Sequence, residues 1–231
     1  MNPIKLFKII VEIVSIIALA NGNLVTLDGE CPFAGLKPPQ NAVIPILKGK
    51  YNVIAETSSG PLNRTDIQML LKQSSKDSIV MTQRFLYPEN DQCYDIKIHS
   101  KALERIGVFD VKYQVAPDTS PVGFTGYYIA LEPRTLFGIG LLCHNLPNSK
   151  YDVDIAVLSG LTDKYDQAMQ ERVQKIFKEQ NIPQLYQYMV PVPQNHKCDF
   201  SMEEIVDSFR PSPDALPDST DSTVPDLPIY L

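Results

Sequence analysis

The stretch from Tyr151 to Cys198 constrains the fold most, because a strand pattern gives way there to a single helix pattern. Apolar residues occupy the odd positions of 151–157, and Asp152 and Asp154 occupy even ones, which is the period of a half-buried strand. We expect both carboxylates on the outer, solvated face. Gly160 ends this pattern, and apolar residues spaced three to four apart over 162–180 predict an amphipathic helix. Such a helix needs a surface on which to pack.

Seven further strands are predicted before this one. Alternating apolar and polar residues, separated by turn residues such as Gly, Pro, Asn and Ser, mark strands at 50–57, 67–71, 79–85, 94–98, 109–115, 124–131 and 136–144. Eight sequential antiparallel strands favour an up-and-down barrel, because closure removes the exposed sheet edges that invite aggregation. A barrel of eight strands has a lumen that can hold one small ligand.

The N-terminus has the features of a secretory signal peptide. Lys5 and Lys8 precede an apolar run that ends in Ala18-Leu19-Ala20, a small-x-small cleavage pattern. The run is short and contains Glu12, so we expect no transmembrane anchor, although an uncleaved anchor or a buried N-terminal helix is an alternative. The prediction is a signal peptide over 1–20 and a secreted, extracellular protein, in which Asn63 of Asn63-Arg64-Thr65 is a glycosylation candidate.

The last segment, residues 200–231, is predicted to be a disordered acidic tail. Residues 201–231 carry seven acidic side chains against the single base Arg210, together with five prolines. Such a segment buries too little surface to offset its ordering entropy. It could bind a partner, keep the protein soluble or have no specific partner. The barrel domain, 21–199, is then nearly neutral, and we expect no nucleic-acid partner.

The order of these elements resembles the lipocalins of the calycin superfamily, and especially the branch of apolipoprotein D and the insect bilin-binding proteins. The resemblance covers about residues 30–199. It rests on Cys31-Pro32, on Gly49-Lys50-Tyr51 in the first strand, on Cys143, and on Asp154-Ile155-Ala156-Val157-Leu158-Ser159 with the helix and Cys198 after it. It implies an all-β fold, an eight-stranded up-and-down antiparallel barrel with one C-terminal helix packed outside.

Three short motifs of that family are altered here. Tyr51 stands where the family has Trp, Gly160 stands where an Arg usually stacks on that Trp, and Glu132-Pro133-Arg134-Thr135 replaces the motif between the sixth and seventh strands. The joint loss of the indole and the Arg is physically consistent, because an Arg held against the end of the barrel has less to bind once the indole is absent.

The four cysteines by themselves allow three pairings. The resemblance implies Cys31 with Cys143 and Cys93 with Cys198. An even count argues against a free catalytic thiol. His99, His144 and His196 are scattered, with no partner at metal-ligand spacing, and no nucleophile or phosphate-loop motif is present. We therefore expect no enzyme activity, no metal and no cofactor.

The predicted function follows from the lumen and from the resemblance. Both point to a carrier that binds and transports a small hydrophobic ligand, such as a lipid, fatty acid, retinoid, sterol or pigment. The alternative is a filled barrel that binds a protein, as yet unknown, through open-end loops at 58–65, 103–107 and 117–123. If odd positions point inward, the lumen is lined by Ile67, Met69, Leu71, Met81, Phe85, Tyr94, Ile96, Ile98, Phe109, Val111, Tyr113 and Ile139, with Tyr127 or Tyr128 depending on register.

Overall fold

The computed structural model describes residues 24–37, 39, 48–114 and 122–210. Eight strands of this part, β2 to β9, lie side by side in chain order, each antiparallel to the next, and β9 pairs back with β2. The sheet therefore closes on itself, and the predicted eight-stranded up-and-down barrel is confirmed.

Two short strands and two helices complete the regular structure of the described residues. The strands are β1 (Val25–Asp28), β2 (Gly49–Thr57), β3 (Thr65–Ser75), β4 (Ser78–Tyr87), β5 (Gln92–Ala102), β6 (Val108–Gln114), β7 (Val122–Glu132), β8 (Phe137–Leu146), β9 (Lys150–Ser159) and β10 (Met189–Pro191). The helices are α1 (Gln167–Glu179) and α2 (Met202–Phe209). Three short 3₁₀ turns cover Pro32–Gly35, Pro133–Thr135 and Pro183–Tyr188.

The two extra strands pair with backbone that the neighbouring barrel strands leave unpaired. β2 and β9 pair directly from Asn52 to Glu56, with a register shift between Val53 and Ala55. β1 pairs with the start of β9, beyond this direct pairing. β10 pairs with residues 55–57 of β2 on the side away from β9, beyond the β2–β3 pairing at residues 49–52. Both additions shorten the open edges of the barrel.

Helix α1 packs on the outside of the barrel, as predicted. It begins after Asp166, whose side chain accepts a hydrogen bond from the backbone N–H of Met169 at 2.9 Å. Its buried residues, Val173 and Phe177, pack on side chains of β8 and β9. The odd residues of β9 thus face the helix, and the even residues face the lumen.

Both disulfides have the pairing that the resemblance implies. Cys31 is bonded to Cys143, with Cα atoms 5.9 Å apart, and Cys93 is bonded to Cys198, with Cα atoms 5.7 Å apart. The first ties the N-terminal arm to β8. The second ties the segment after β10 to β5.

The predicted boundary of the disordered tail is wrong, because α2 lies inside it. Ser201 and Glu204 form a reciprocal capping box, with the Ser201 hydroxyl accepting from the Glu204 N–H and the Glu204 carboxylate accepting from the Ser201 N–H. Glu204 also pairs with Arg84 of β4 at 2.9 Å. Local capping and this ion pair order a segment whose composition alone suggested disorder. The rest of the predicted tail, 211–231, and the predicted signal peptide lie outside the described residues.

The altered family motifs have local reasons at the closed end of the barrel. Tyr51 is 4% exposed and takes part in the inner cluster of apolar residues. A Cβ atom at position 160 would lie 2.8 Å from the Cβ of Leu136, so Leu136 fills the space beside Gly160. In the described part of the chain, neither helix has the length and apolar character needed to span a membrane.

Candidate functional site

The lumen of the barrel is lined by a cluster of buried apolar residues. Eleven side chains of the predicted lining belong to or pack against this inner cluster: Ile67, Met69, Leu71, Met81, Phe85, Ile96, Ile98, Phe109, Val111, Tyr113 and Tyr128. They come from β3 to β7, whose inward positions alternate along each strand. The interior is therefore apolar over most of its length.

Two residues of the predicted lining face outward. Ile139 belongs to the outer cluster that α1 covers, together with Val173 and Phe177. Tyr127 also belongs to that cluster, and its hydroxyl donates to the carbonyl oxygen of Leu36 at 3.3 Å. The cause is the same in β7 and β8. Each strand has buried residues on both faces, so the alternation of apolar residues does not show which face lines the lumen.

A cavity of about 60 Å³ remains in the lumen. Met69, Met81, Phe109 and Leu158 contribute apolar side chains to its wall, and Gly126 and Gly140 make room where β7 and β8 pass. A cavity of about 150 Å³ holds benzene, and a water molecule needs about 10–15 Å³. The cavity as it stands holds a few waters or a small head group, and a larger ligand requires side chains to move.

Glu56 lines this cavity, and Arg64 pairs with it. Arg64 and Glu56 are 3% and 1% exposed, and the Arg64 Nη2 lies 2.8 Å from the Glu56 Oε2. The Arg64 Nε also donates to the Glu56 Oε1 at 3.3 Å. The guanidinium stacks over the Phe85 ring at 5.5 Å from its centroid. The pair is thus held inside the barrel by two hydrogen bonds and an aromatic ring.

A second carboxylate, that of Asp154, lines the same cavity. The prediction that Asp154 lies on the outer face of its strand is wrong, because the even residues of β9 point into the lumen. Burial, followed by the nearby charge of Glu56, raises the pKa of Asp154 to about 6, while Arg64 and a hydrogen bond from Thr57 act in the opposite direction. The Thr57 hydroxyl lies 3.5 Å from the Asp154 Oδ1.

Two tyrosines add polar groups to the otherwise apolar wall. Burial raises the pKa of Tyr113 and of Tyr128, so both phenols stay neutral and can donate hydrogen bonds. The Tyr128 ring packs edge-on against Phe109, with centroids 5.1 Å apart. Tyr113 packs in the same way on Phe124 at 5.5 Å.

A wider pocket of about 340 Å³ lies at the mouth of the barrel, where β4 ends and β5 begins. Phe85, Tyr87 and Tyr94 line it with three rings in mutual contact, the Tyr87 and Tyr94 centroids being 5.2 Å apart. Tyr94, predicted as a lumen residue, lies at this mouth and is 38% exposed. Asn63 also borders the pocket, so a glycan on the predicted sequon would lie beside the mouth.

The loops of an up-and-down barrel alternate between its two ends. The loops before β3, β5 and β9 share the end that carries the mouth pocket. The 103–107 loop joins β5 to β6 and therefore lies at the opposite end, so its prediction as an open-end loop is wrong. The 117–121 part of the third predicted loop lies outside the described residues.

Sequence reasoning missed the polar residues of the cavity. Glu56, Gln83, Ser100 and Asp154 line the cavity, and Arg64 pairs with Glu56. All of these except Asp154 are at most 5% exposed. Asp154 and Glu56 stand in predicted strands, where a polar residue between apolar ones normally marks the solvated face. The predicted amphipathic helix is the signal that could have indicated them. Its apolar face needs apolar residues of a strand to pack on, and if the odd residues of β9 serve this purpose, Asp154 faces the lumen.

One cluster of possible metal ligands lies outside the barrel. Side-chain atoms of Asp66, His196 and Asp199 lie within 4.8 Å of one another. Both Asp66 oxygens accept backbone N–H groups, from His196 at 2.9 Å and from Cys198 at 2.6 Å. This carboxylate fixes the backbone next to the Cys93–Cys198 disulfide, which explains its burial.

Comparisons with known proteins identify the fold. Insecticyanin from the tobacco hornworm Manduca sexta is similar in structure, with a TM-score of 0.58 and 14% identity over 79% of this chain and 93% of that chain. Lobster apocrustacyanin A1 has a TM-score of 0.56 and 11% identity, over 75% of this chain and 93% of that chain. H1 crustacyanin from the lobster Homarus americanus has a TM-score of 0.54 and 11% identity, over 75% of this chain and 92% of that chain.

The chain therefore has the lipocalin fold, as the resemblance predicted. No protein-family model and no curated protein matches the sequence. At these levels of identity, the structural likeness establishes the fold, and function has to be argued from the lumen.

Proposed function

We propose that this protein is a secreted carrier that binds a small, mostly apolar molecule reversibly in the lumen of the barrel. The observation that supports this most directly is the apolar inner cluster, which contains residues of both the lumen cavity and the mouth pocket. Burial of an apolar ligand on such a wall contributes about 25 cal/mol per Å² of surface removed from water. The neutral tyrosine hydroxyls supply polar contacts for one end of the ligand.

The size of the cavity determines how such a ligand fits. Met69 and Met81 are both 8% exposed, and both line the cavity. Methionine has three flexible torsions and adapts to irregular shapes, so these two residues are the part of the wall that moves most easily. The ligand's narrow end then occupies the cavity, and its body extends toward the aromatic mouth pocket.

Secretion is proposed on two grounds. The N-terminal 20 residues have the pattern of a signal peptide, and the two disulfides suit an oxidising compartment. Expression in a secreting eukaryotic cell, followed by N-terminal sequencing, tests this. A mature start near Asn21, and a mass shift on glycosidase treatment that Asn63→Gln abolishes, are the expected results.

Native mass spectrometry of the secreted protein, with solvent extraction of whatever co-purifies, tests the carrier function. Lipids, fatty acids, retinoids, sterols and pigments form the first displacement panel. Ala156→Leu fills the cavity from β9 and should weaken binding, whereas Ala168→Leu, on the exposed side of α1, should not. Unchanged binding in Ala156→Leu would contradict a lumen site.

One observation favours the second candidate function, a protein-binding module with a filled barrel. The 60 Å³ cavity is small for a carrier. A clean apo mass, with no displacement by any compound of the panel, would support this alternative. Binding partners would then be sought for the loops at the open end.

A further inference from the structure

Two carboxylates, those of Glu56 and Asp154, line the inner cavity, and no cationic side chain of the described residues does. Arg64 directs its Nε and Nη2 to the two oxygens of Glu56. Asp154 brings a second carboxylate, and its one hydrogen bond among the described residues comes from the neutral Thr57 hydroxyl at 3.5 Å. Segments 40–47, 115–121 and 211–231, which lie outside the described residues, contain no Lys, Arg or His. Once the predicted signal peptide is removed, they offer Asp154 no counter-ion.

A second, independent observation concerns Gln83 and Ser100. Both side chains line the cavity, at 5% and 3% exposure. Neither makes a side-chain hydrogen bond to any residue that the structure describes, although buried amides and hydroxyls are normally satisfied. Because both side chains line the cavity, their polar atoms are available to a molecule that enters it.

The aromatic part of the wall suits a positive charge. The rings of Phe109, Tyr113 and Tyr128 line the same cavity as Asp154. Aromatic rings attract cations through their quadrupole, and the attraction strengthens where water is excluded. An anionic ligand would meet two carboxylates here, so the cavity disfavours acids such as fatty acids at its inner end.

We propose that the inner cavity binds the protonated amine of a small amphipathic ligand. Asp154 is the counter-ion, and the Gln83 amide oxygen and the Ser100 hydroxyl accept further hydrogen bonds from the ammonium group. The apolar body of the amine lies along the methionines toward the mouth. This inference rests on the proposed carrier function and specifies the chemical class of its ligand.

Calorimetric titration with three matched probes tests the inference. These are 2-phenylethylamine, 2-phenylethanol and 3-phenylpropionate, which share an apolar body and differ in the charge of the head group. At pH 7.5 the amine should bind about tenfold or more tighter than the alcohol, the difference expected for a charge-assisted hydrogen bond. The carboxylate should bind weakest.

Asp154→Asn removes the charge and keeps the shape. It should reduce amine affinity about tenfold and leave binding of the alcohol nearly unchanged. Asp110→Asn, which changes an exposed carboxylate on the outer face of β6, is the matched control and should bind like the unmodified protein. Circular dichroism and an intact-disulfide mass confirm that each variant is folded.

The outcomes separate this inference from the proposed function. Equal affinity for amine and alcohol, or full amine binding by Asp154→Asn, overturns the amine subsite and leaves the carrier function standing. If none of the three probes binds and the apolar panel also fails, the cavity holds water only, and both proposals fall.

Discussion

Arg64 and Glu56 form a two-pronged ion pair inside the barrel, with the Arg64 Nη2 2.8 Å from the Glu56 Oε2 and both side chains at most 3% exposed. The two residues stand at the end of β2 and just before β3, on either side of an open-end loop. A pair of charges that is removed from water is stable only while both partners remain. The pair therefore fixes this loop to the wall of the lumen.

Removing one partner of this pair should be costly. Arg64→Met leaves Glu56 buried without its cation, and we expect the free energy of unfolding in urea to fall by about 3–5 kcal/mol. The double variant Glu56→Leu/Arg64→Met should lose much less, since neither charge remains. Lys101→Met, which breaks an exposed ion pair with Asp77, is the control and should change stability by at most about 1 kcal/mol. A small loss in Arg64→Met would show that the pair is more hydrated than its burial indicates.

Asp154 should make the stability depend on pH. Its pKa is raised to about 6 in the folded protein, from an ordinary value of 3.8. The folded state thus binds the proton more tightly, and stability is lost as the pH rises through this interval. Asp154→Asn mimics the protonated form, so it should stabilise the protein by about 1–3 kcal/mol at pH 7.5 and by much less at pH 3.5. Urea melts of both proteins at the two pH values measure this. An equal difference at both would contradict the raised pKa.

Position 49 should tolerate only glycine. Gly49 has a φ of +100°, and an added Cβ would lie 2.7 Å from the Cζ of Phe209 in α2. Gly49→Ala should therefore destabilise the protein by about 1–3 kcal/mol, through backbone strain and displacement of the ring. Gly123→Ala, where a Cβ meets nothing within 4 Å, is the matched control. Thermal melts measure the difference between the two variants. Equal melting temperatures would contradict both the backbone strain at position 49 and the contact with Phe209.

The disulfide between Cys93 and Cys198 should stabilise the segment that follows α1. Replacing both cysteines by Ala opens a loop that spans 105 residues. Removing a native disulfide from a small secreted domain typically costs about 2–5 kcal/mol. Limited proteolysis should show new cleavage sites near Pro193 to Asp199, together with the loss of stability. Protection of this segment in the double variant would mean that Asp66, which binds three backbone N–H groups there, suffices to hold it.

Much of the architecture could be predicted from local patterns. Strand alternation, turn residues and one helical stretch gave the eight strands, their order and the outer helix, because these depend on neighbours within a few residues. The inward face was predicted correctly for β3 to β6, where polar residues such as Lys97 and Lys112 mark the outer side. Helix α2 was missed although its capping box, Ser201 with Glu204, is a local sequence signal, because the acidic, Pro-rich composition suggested disorder. The contact of Glu204 with Arg84 on a distant strand could not be predicted from local patterns.

The sequence by itself determined the closed barrel, the outer position of α1 and an apolar interior. Only the tertiary structure decided the polarity of the site. In β8 and β9 one face lines the lumen and the other packs against α1, so the spacing of apolar residues does not distinguish the two faces. Ile139, expected in the lumen, therefore lies on the α1 side, and Asp154, expected outside, lies in the lumen. The closure of β9 onto β2 determines which of these two faces lines the lumen. This closure joins residues about a hundred positions apart in the sequence. That closure places Asp154 and Glu56 in the wall of one cavity, and Arg64 pairs with Glu56.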